Sequence, residues 1–298
     1  AATESLFLDA TGQPMKFDAA VTGGRSVGTP GAVRMLEAAH RQHGRLPWAR
    51  LFEPAITLAE QGFTVGPRLA GLLRSADAEA LRRDPQASAY FFRSAGAGPA
   101  EPLAAGALVR NPAFAAVLRR LAGEGSAALH QGAIAADIVR RVRQYPGNPG
   151  VLSESDLAGY QPRQREPMCT LWRHRYRVCG FPPPSSGHIA VMQMLGMLDE
   201  LPSPPAPLQG GVPSAGFLHR YTEVARLAVA DRAQYLADPD FGAPPAGRWS
   251  SLLDETYLAQ RALLVDDRRS MGTSSAGEPA AAMKSSPLAP QREQPDHG

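Results

Sequence analysis

Apolar residues that recur at every third or fourth position are the feature that most restricts how this chain can fold. In residues 132–144, for example, Ile134, Ile138 and Val142 share one side of a helix. Similar spacing occurs along much of the chain, so we predict a mostly helical protein with a few strands. The predicted helices span residues 32–43, 47–61, 112–123, 132–144, 152–159, 188–201, 214–236 and 252–264.

Local signals add detail to two of these helices. Ser153 lies at the start of the helix at 152–159 and Asp156 follows three positions later, which predicts a capping box. In the longest helix, the spacing predicts that Leu218 and Tyr221 are buried, whereas Glu223 is expected to be exposed or semi-buried.

Two cysteines, Cys169 and Cys179, are present, which excludes a disulfide-framework protein and a zinc site built on four thiolates. Residues 168–172 and 176–180 form a predicted hairpin in which the two cysteines face each other. Facing residues are close enough for a disulfide. Two free, half-buried thiols are the favoured interpretation, and a cross-strand disulfide is the alternative.

Length and charge exclude several classes of protein. The 298 residues suffice for one large domain or two small ones. The 31 basic residues, all arginine except Lys16 and Lys284, are scattered, and the net charge is +3, so no nucleic-acid surface is predicted. No apolar run reaches the roughly 18 residues that a membrane span requires.

Catalytic and metal-binding patterns are weak. Ser26 lies in a Gly-x-Ser-x-Gly pattern, but Thr29-Pro30-Gly31 prevents a helix from following directly, so a flexible loop is favoured over a hydrolase elbow. His40 and His43 lack a carboxylate at metal-binding spacing, and no phosphate-binding glycine pattern occurs. We therefore predict no metal and no cofactor. The residues alone describe a helical scaffold without a convincing catalytic set.

Several segments, in this order, resemble the gamma-glutamyltranspeptidase (glutathione hydrolase) family. The similarity is nearly continuous from residue 1 to 241. Its most specific part is Pro-Pro-Pro-Ser-Ser-Gly, followed at the family's spacing by Ala-Asp-Arg and Asp-Pro-Asp-Phe. These motifs are residues 182–187, 230–232 and 238–241.

The resemblance implies an α+β fold, the αββα sandwich of N-terminal-nucleophile hydrolases when complete, to which this chain contributes mostly helices. It implies that residues 1–269 are the large-subunit portion of one such domain. Residues 270–298, rich in Ser, Pro and Ala, are expected to be a flexible tail, disordered or draped over the surface, that leads to the autoprocessing site.

In this family a precursor cuts itself into two subunits, and the small subunit begins with the catalytic threonine. The resemblance therefore implies that Gly298 is the processing site and that the nucleophile follows it. An arginine that binds the substrate carboxylate is expected to precede Ala1. We expect the chain alone to be inactive, and poorly stable because helices that cover a sheet would expose apolar faces.

Residues near the motifs have two possible roles. Capping of the following helix is favoured for Ser185 and Ser186, and lining of the substrate site is the alternative. The acidic and basic residues of the later motifs are predicted to form structural ion pairs. These residues are Asp231, Arg232, Asp238 and Asp240.

The implied activity is cleavage of γ-glutamyl amides such as glutathione through an acyl-threonine, with transfer to water or amino acids. The small subunit is the expected partner. Bacterial relatives are usually exported, so a periplasmic or secreted location is expected, although this chain shows no signal peptide. A cephalosporin or glutaryl acylase of the same family and an inactive truncated scaffold are the alternatives.

Overall fold

The computed structural model has helices in the segments where apolar residues recur at helical spacing. It describes residues 2–93, 100–202 and 206–279. The chain divides into two compact units, Ala1–Arg163 and Gln164–Gly298. Within the described residues, no helix is both long and apolar enough to span a membrane.

Helices of 4 to 13 residues form most of the secondary structure described in the first unit. Its strands form two short antiparallel pairs, β1 with β4 and β2 with β3. The strands are β1 Phe63–Thr64, β2 Phe92–Arg93, β3 Glu101–Pro102 and β4 Leu108–Val109. The helices are α1 Phe17–Val21, α2 Ala32–His43, α3 Glu53–Gln61, α4 Pro67–Arg74, α5 Glu79–Arg83, α6 Pro85–Phe91, α7 Pro112–Glu124, α8 Ala127–His130, α9 Gly132–Arg143 and α10 Glu154–Gly159.

Capping residues set helix ends in the first unit. The Asn111 side chain accepts a hydrogen bond from Phe114 N at the start of α7, whose first residue is a proline. The capping box at α10 is confirmed: Ser153 Oγ accepts from Asp156 N, and Asp156 Oδ2 accepts from Ser153 N. The predicted helix at 47–61 is divided, because a 3₁₀ turn at Trp48–Phe52 precedes α3.

The second unit contains the longest helix of the described chain. Its strands form two antiparallel hairpins, β5 Met168–Trp172 with β6 Tyr176–Gly180 and β7 Leu208–Gln209 with β8 Val212–Pro213. Its α-helices are α11 Gly187–Glu200, α12 Ala215–Tyr235 and α13 Glu255–Ala262. Buried residues from all three helices, including Ile189, Val224 and Leu258, form its core.

The β5–β6 hairpin has the predicted register, with Cys169 opposite Cys179 and Trp172 opposite Tyr176. The two sulfur atoms form a disulfide with an S–S distance of 2.08 Å. The favoured interpretation of two free thiols is therefore wrong, and the alternative describes the structure.

Helix α12 occupies the predicted segment, but the burial predicted for three of its residues is wrong. Leu218 and Tyr221 are 47% and 48% exposed, whereas Glu223 is 1% exposed. Arg220 and Asp231 are also buried on this helix. Charged residues therefore lie on the side of α12 that faces the interior. A buried charge is stable only where it has hydrogen-bonding or oppositely charged partners.

The segment after α13 packs against the second unit as far as it is described. Met271 contacts the core, and Arg261 Nη2 donates to Ser275 O at 2.8 Å. The described residues 270–279 therefore contact the second unit, and the extent of the flexible tail stays a prediction. Residues 280–298, including the expected processing site Gly298, lie outside the described residues.

Candidate functional site

The Pro-Pro-Pro-Ser-Ser motif forms the loop between β6 and α11. The Pro183–Pro184 peptide bond is cis, and Ser185 N donates to Pro182 O at 3.1 Å. Ser185 is exposed, and Ser186 is half-buried at the N-cap position of α11. Its side chain makes no capping hydrogen bond, so the predicted capping role is wrong for this side chain.

Arg232 on α12 holds Ser186 instead. Its Nε donates to Ser186 Oγ at 2.9 Å, which joins the last turn of α12 to the start of α11. In the described part of the chain, no histidine or carboxylate hydrogen-bonds to Ser185 or Ser186. Within the described chain, the two serines therefore lack the base that a serine nucleophile needs.

The neighbouring Asp231 is fully buried and has several donors around it. Its Oδ2 accepts from Gln193 Nε2 and from the Tyr257 hydroxyl, each at 2.7 Å. Its Oδ1 lies 3.1 Å from Arg261 Nη2 and accepts from Gly277 N at 2.9 Å. Burial and the Asp231 charge raise the pKa of Tyr257 well above its usual range, so this phenol stays a donor.

Other ion pairs of the motifs are exposed or partly so. Arg165 Nη2 lies 3.7 Å from Asp238 Oδ1 and 3.0 Å from Asp240 Oδ1. The structural ion pairs predicted for Asp231, Asp238 and Asp240 are thus confirmed. The contact described for Arg232 is its hydrogen bond to Ser186 Oγ.

Sequence reasoning missed the groups that surround Asp231. Gln193, Tyr257, Arg261 and Gly277 come from α11, from α13 and from the segment after it. The one available signal was a charged residue within an otherwise apolar helical stripe, since a charge at such a position needs partners.

An apolar groove opens on the second unit beside the first half of α12. Its volume is about 620 Å³. The walls combine side chains from β5, α11 and α12 with an ion pair between Arg173 and Asp199, whose Nε and Oδ1 are 2.8 Å apart. Its apolar lining includes Trp172, Val191, Met194, Leu195, Phe217 and Tyr221.

The weaker candidates form no site. Ser26 belongs to a 3₁₀ turn, and its Oγ donates to Gly23 O at 2.9 Å. His40 Nε2 lies 2.7 Å from Leu46 O. Among the residues that the structure describes, no group of three or more His, Cys, Asp or Glu side chains could hold a metal ion.

Known proteins resemble this chain over most of its length. A family profile described as Gamma-glutamyltranspeptidase matches residues 1–297. The glutathione hydrolase proenzyme of Pseudomonas aeruginosa is 34% identical over 267 residues, which are 89% of this chain and 44% of that protein. The acylase ACY 1 proenzyme of Pseudomonas sp. strain SE83 is 33% identical over 252 residues, 83% of this chain and 41% of that protein.

A solved structure agrees with these sequence relatives. The gamma-glutamyltranspeptidase of Helicobacter pylori has a TM-score of 0.80 and 26% identity, with coverage of 96% of this chain and 77% of that chain. The predicted α+β, N-terminal-nucleophile hydrolase fold class is thereby confirmed. The chain spans less than half the length of the two curated relatives. By its sequence and its fold, the chain belongs to the gamma-glutamyltranspeptidase family.

Proposed function

We propose that this chain is the large-subunit portion of an enzyme that hydrolyses or transfers γ-glutamyl groups. The observation that carries the proposal is the family match, which extends over residues 1–297 although the chain corresponds to 44% of the P. aeruginosa proenzyme. Relatives that are named proenzymes support a precursor that is processed into two subunits.

The proposed chemistry is covalent catalysis by an N-terminal threonine that follows Gly298 in the precursor. Its hydroxyl attacks the γ-glutamyl carbonyl, and its own α-amine accepts the proton and returns it to the leaving amine. Water or an amino acid then attacks the acyl-threonine. On this proposal the present chain is inactive alone, because the nucleophile lies in the other part of the precursor.

The small subunit is the proposed partner, and helix α11 supports this proposal. A helix that is apolar on all sides requires cover on all sides. One side of α11 places Ile189 and Met197 in the core, whereas Val191, Met194 and Leu195 line the open groove. We propose that the remaining half of the precursor covers this groove, including the half-exposed Tyr221 in its lining.

Ser185 and Ser186 are proposed to line the substrate site. Arg232 fixes the Ser186 hydroxyl, while Ser185 is exposed and available for a ligand. A γ-glutamyl group presents carboxylate and carbonyl oxygens, and hydroxyl groups can donate to these. Glutathione is the proposed substrate.

A periplasmic or secreted location is proposed for the enzyme. The Cys169–Cys179 disulfide supports it, because such bonds persist mainly in oxidising compartments. The resemblance to exported bacterial relatives points in the same direction.

The test is to express the complete precursor and to assay γ-glutamyl anilide hydrolysis beside a glutaryl-cephalosporin substrate. We expect two fragments on a denaturing gel and release of the anilide. The second candidate is an acylase, which the 33% identity to the ACY 1 proenzyme favours, and cleavage of the glutaryl substrate alone would select it. A precursor that stays uncut and inactive on both substrates would contradict both functions.

A further inference from the structure

Two residues in the wall of the apolar groove each carry a buried donor that makes no hydrogen bond. Trp172 Nε1 and Arg220 Nη1 are closed to water, and neither has a hydrogen-bond partner among the described residues. Both residues line the groove. A buried N–H group without an acceptor is unfavourable, so nearly all such groups in proteins have one. The wall of the groove is therefore short of acceptor oxygens.

Arg220 indicates which kind of acceptor is missing. The residue is 6% exposed, and its Nε and Nη2 donate to the two carboxylate oxygens of Asp267, each at 2.6 Å. A guanidinium group has five N–H donors, and this ion pair leaves both donors of Nη1 unused. Because Asp267 already balances the charge of Arg220, the missing acceptor need not be a carboxylate.

The other charges described in the groove wall are balanced in the same way. Arg173 Nε donates to Asp199 Oδ1 at 2.8 Å. Together with Arg220, these two are the charged residues described in the wall. An anionic occupant would lose its hydration without gaining an unpaired cation, which is unfavourable. An uncharged acceptor, such as a carbonyl oxygen, therefore fits the groove better than a carboxylate.

The Trp172 ring is held by neighbours on the same hairpin. Arg173 Cζ lies 4.7 Å from the centre of the Trp172 ring, and the centre of the Tyr176 ring lies 5.9 Å away. The disulfide between Cys169 and Cys179 joins the two strands of this hairpin. A donor that is fixed before binding loses little conformational entropy when its acceptor arrives.

We propose that a peptide segment of the remaining half of the precursor fills the groove with apolar side chains and presents main-chain carbonyl oxygens to Trp172 Nε1 and Arg220 Nη1. This inference rests on the proposed function. Each residue of a main chain supplies a carbonyl. The chain spans 44% of the P. aeruginosa proenzyme, so more than half of such a precursor is available to supply the segment. Side chains around the two nitrogens must shift to admit the oxygens, and such rotamer changes are common at interfaces.

The first test follows the indole N–H signal of Trp172 by NMR, in the 298-residue chain and in the complete precursor. We expect this proton to move downfield in the precursor and to exchange with solvent at least about tenfold more slowly, because it gains an acceptor. Trp48 is the matched control. Its Nε1 already donates to Leu121 O at 2.9 Å, so its signal should stay the same. An unchanged Trp172 signal would overturn the proposal.

The second test measures how Trp172→Phe changes the cover of the groove. In the complete precursor, a thiol introduced by Tyr221→Cys should be protected from a maleimide, as read from the labelled peptide. Trp172→Phe should lower this protection about tenfold, because the cover loses one hydrogen bond. Trp48→Phe, in the other unit, should leave the protection unchanged.

The same two variants should behave in the opposite way in the 298-residue chain alone. Trp48→Phe should lower the melting temperature more than Trp172→Phe, since of these two indoles only that of Trp48 has a hydrogen-bond acceptor in the described chain. An equal or larger loss from Trp172→Phe would mean that its donor is already satisfied without a partner, and would overturn the proposal.

The remaining outcomes separate the ways in which the proposal fails. If Trp172→Phe leaves the protection in the precursor unchanged, the proposed hydrogen bond is wrong although the cover stands. Equal reactivity of the Tyr221→Cys thiol in the chain and the precursor would overturn the cover itself. A Trp172 signal that shifts with the concentration of the 298-residue chain would assign the groove to a second copy. The anilide assay decides the proposed activity independently of all three.

Discussion

The two sides of helix α12 differ in a way that the local sequence does not predict. One side holds Glu223 and Asp231, both almost fully buried, while the other presents Leu218 and Tyr221 with about half of their surface exposed. The buried side also carries Val224 and Leu227, as in an ordinary helix that packs on a core, so the unusual features of α12 are its buried carboxylates and its exposed apolar side chains. On the buried side, residues 266–277 donate hydrogen bonds to both carboxylates, whereas Leu218 and Tyr221 stay half exposed among the described residues. The exposed apolar side is the one that the remaining half of the precursor is proposed to cover.

The largest effect is expected on the charged side, from Asp231→Ala. Removal of this carboxylate leaves the buried Arg261 guanidinium without its negatively charged partner and the Gly277 amide without an acceptor. We expect a loss of about 3–5 kcal/mol in the free energy of unfolding, measured by urea denaturation. Asp240→Ala, which breaks an exposed pair with Arg165, should cost less than about 1 kcal/mol. Similar losses of stability from Asp231→Ala and Asp240→Ala would contradict the difference between the buried carboxylate and the exposed ion pair.

The disulfide gives the next largest expected effect. Replacement of both Cys169 and Cys179 by serine removes a cross-link between residues that are 10 positions apart. The cross-link restricts the unfolded chain by closing a short loop, so its removal should lower the free energy of unfolding by about 2–3 kcal/mol. Thermal unfolding without reductant measures this loss. A reductant should lower the stability of the unaltered chain and leave the double variant unaffected. Equal melting temperatures of the unaltered chain and the double variant, both without reductant, would show that the cross-link does not stabilise the fold.

Acid should weaken the charged side through Glu223. Burial opposes ionisation, but hydrogen bonds from Met271 N and Ser270 Oγ, with the Arg226 and His219 charges, lower the Glu223 pKa below its usual 4.5. A lowered pKa stabilises the folded state above about pH 4.5, and this stability is lost as the pH falls through the folded-state pKa. Glu223→Gln should therefore flatten the acid limb of a stability–pH curve, while Glu200→Gln, at an exposed position, should not.

On the apolar side, Tyr221→Ser should have the smallest effect. Tyr221 is half exposed, so the free energy of unfolding of this chain should change by no more than about 0.5 kcal/mol. Leu227→Ala, on the same helix but 1% exposed, should cost about 2–5 kcal/mol. A large loss from Tyr221→Ser would mean that the apolar side is already packed.

Local sequence signals predicted the parts of the fold that depend on neighbours in the chain. The capping box at Ser153 and the register that pairs Cys169 with Cys179 are two examples. Burial on α12 could not be predicted in this way, because the donors to Glu223 and Asp231 include Met271 N and Gly277 N, which follow more than 40 residues later in the chain. Helical periodicity contains no information about such distant donors.

The candidate site was only partly accessible to sequence reasoning. The resemblance indicated Ser185 and Ser186, but the backbone of Ser186 has helical angles (φ −93°, ψ −17°) where a capping residue is extended, and its hydroxyl accepts from Arg232. The family itself came from the order of several modest motifs, since no single pattern in the chain specifies a reaction.

Thiol labelling at Tyr221 tests most directly whether the rest of a precursor covers the apolar side of α12. The two native cysteines form a disulfide, so Tyr221→Cys introduces the one free thiol of this chain. We predict rapid reaction with a maleimide in the present chain and strong protection in the complete precursor. Equal reactivity in the two proteins would contradict the account.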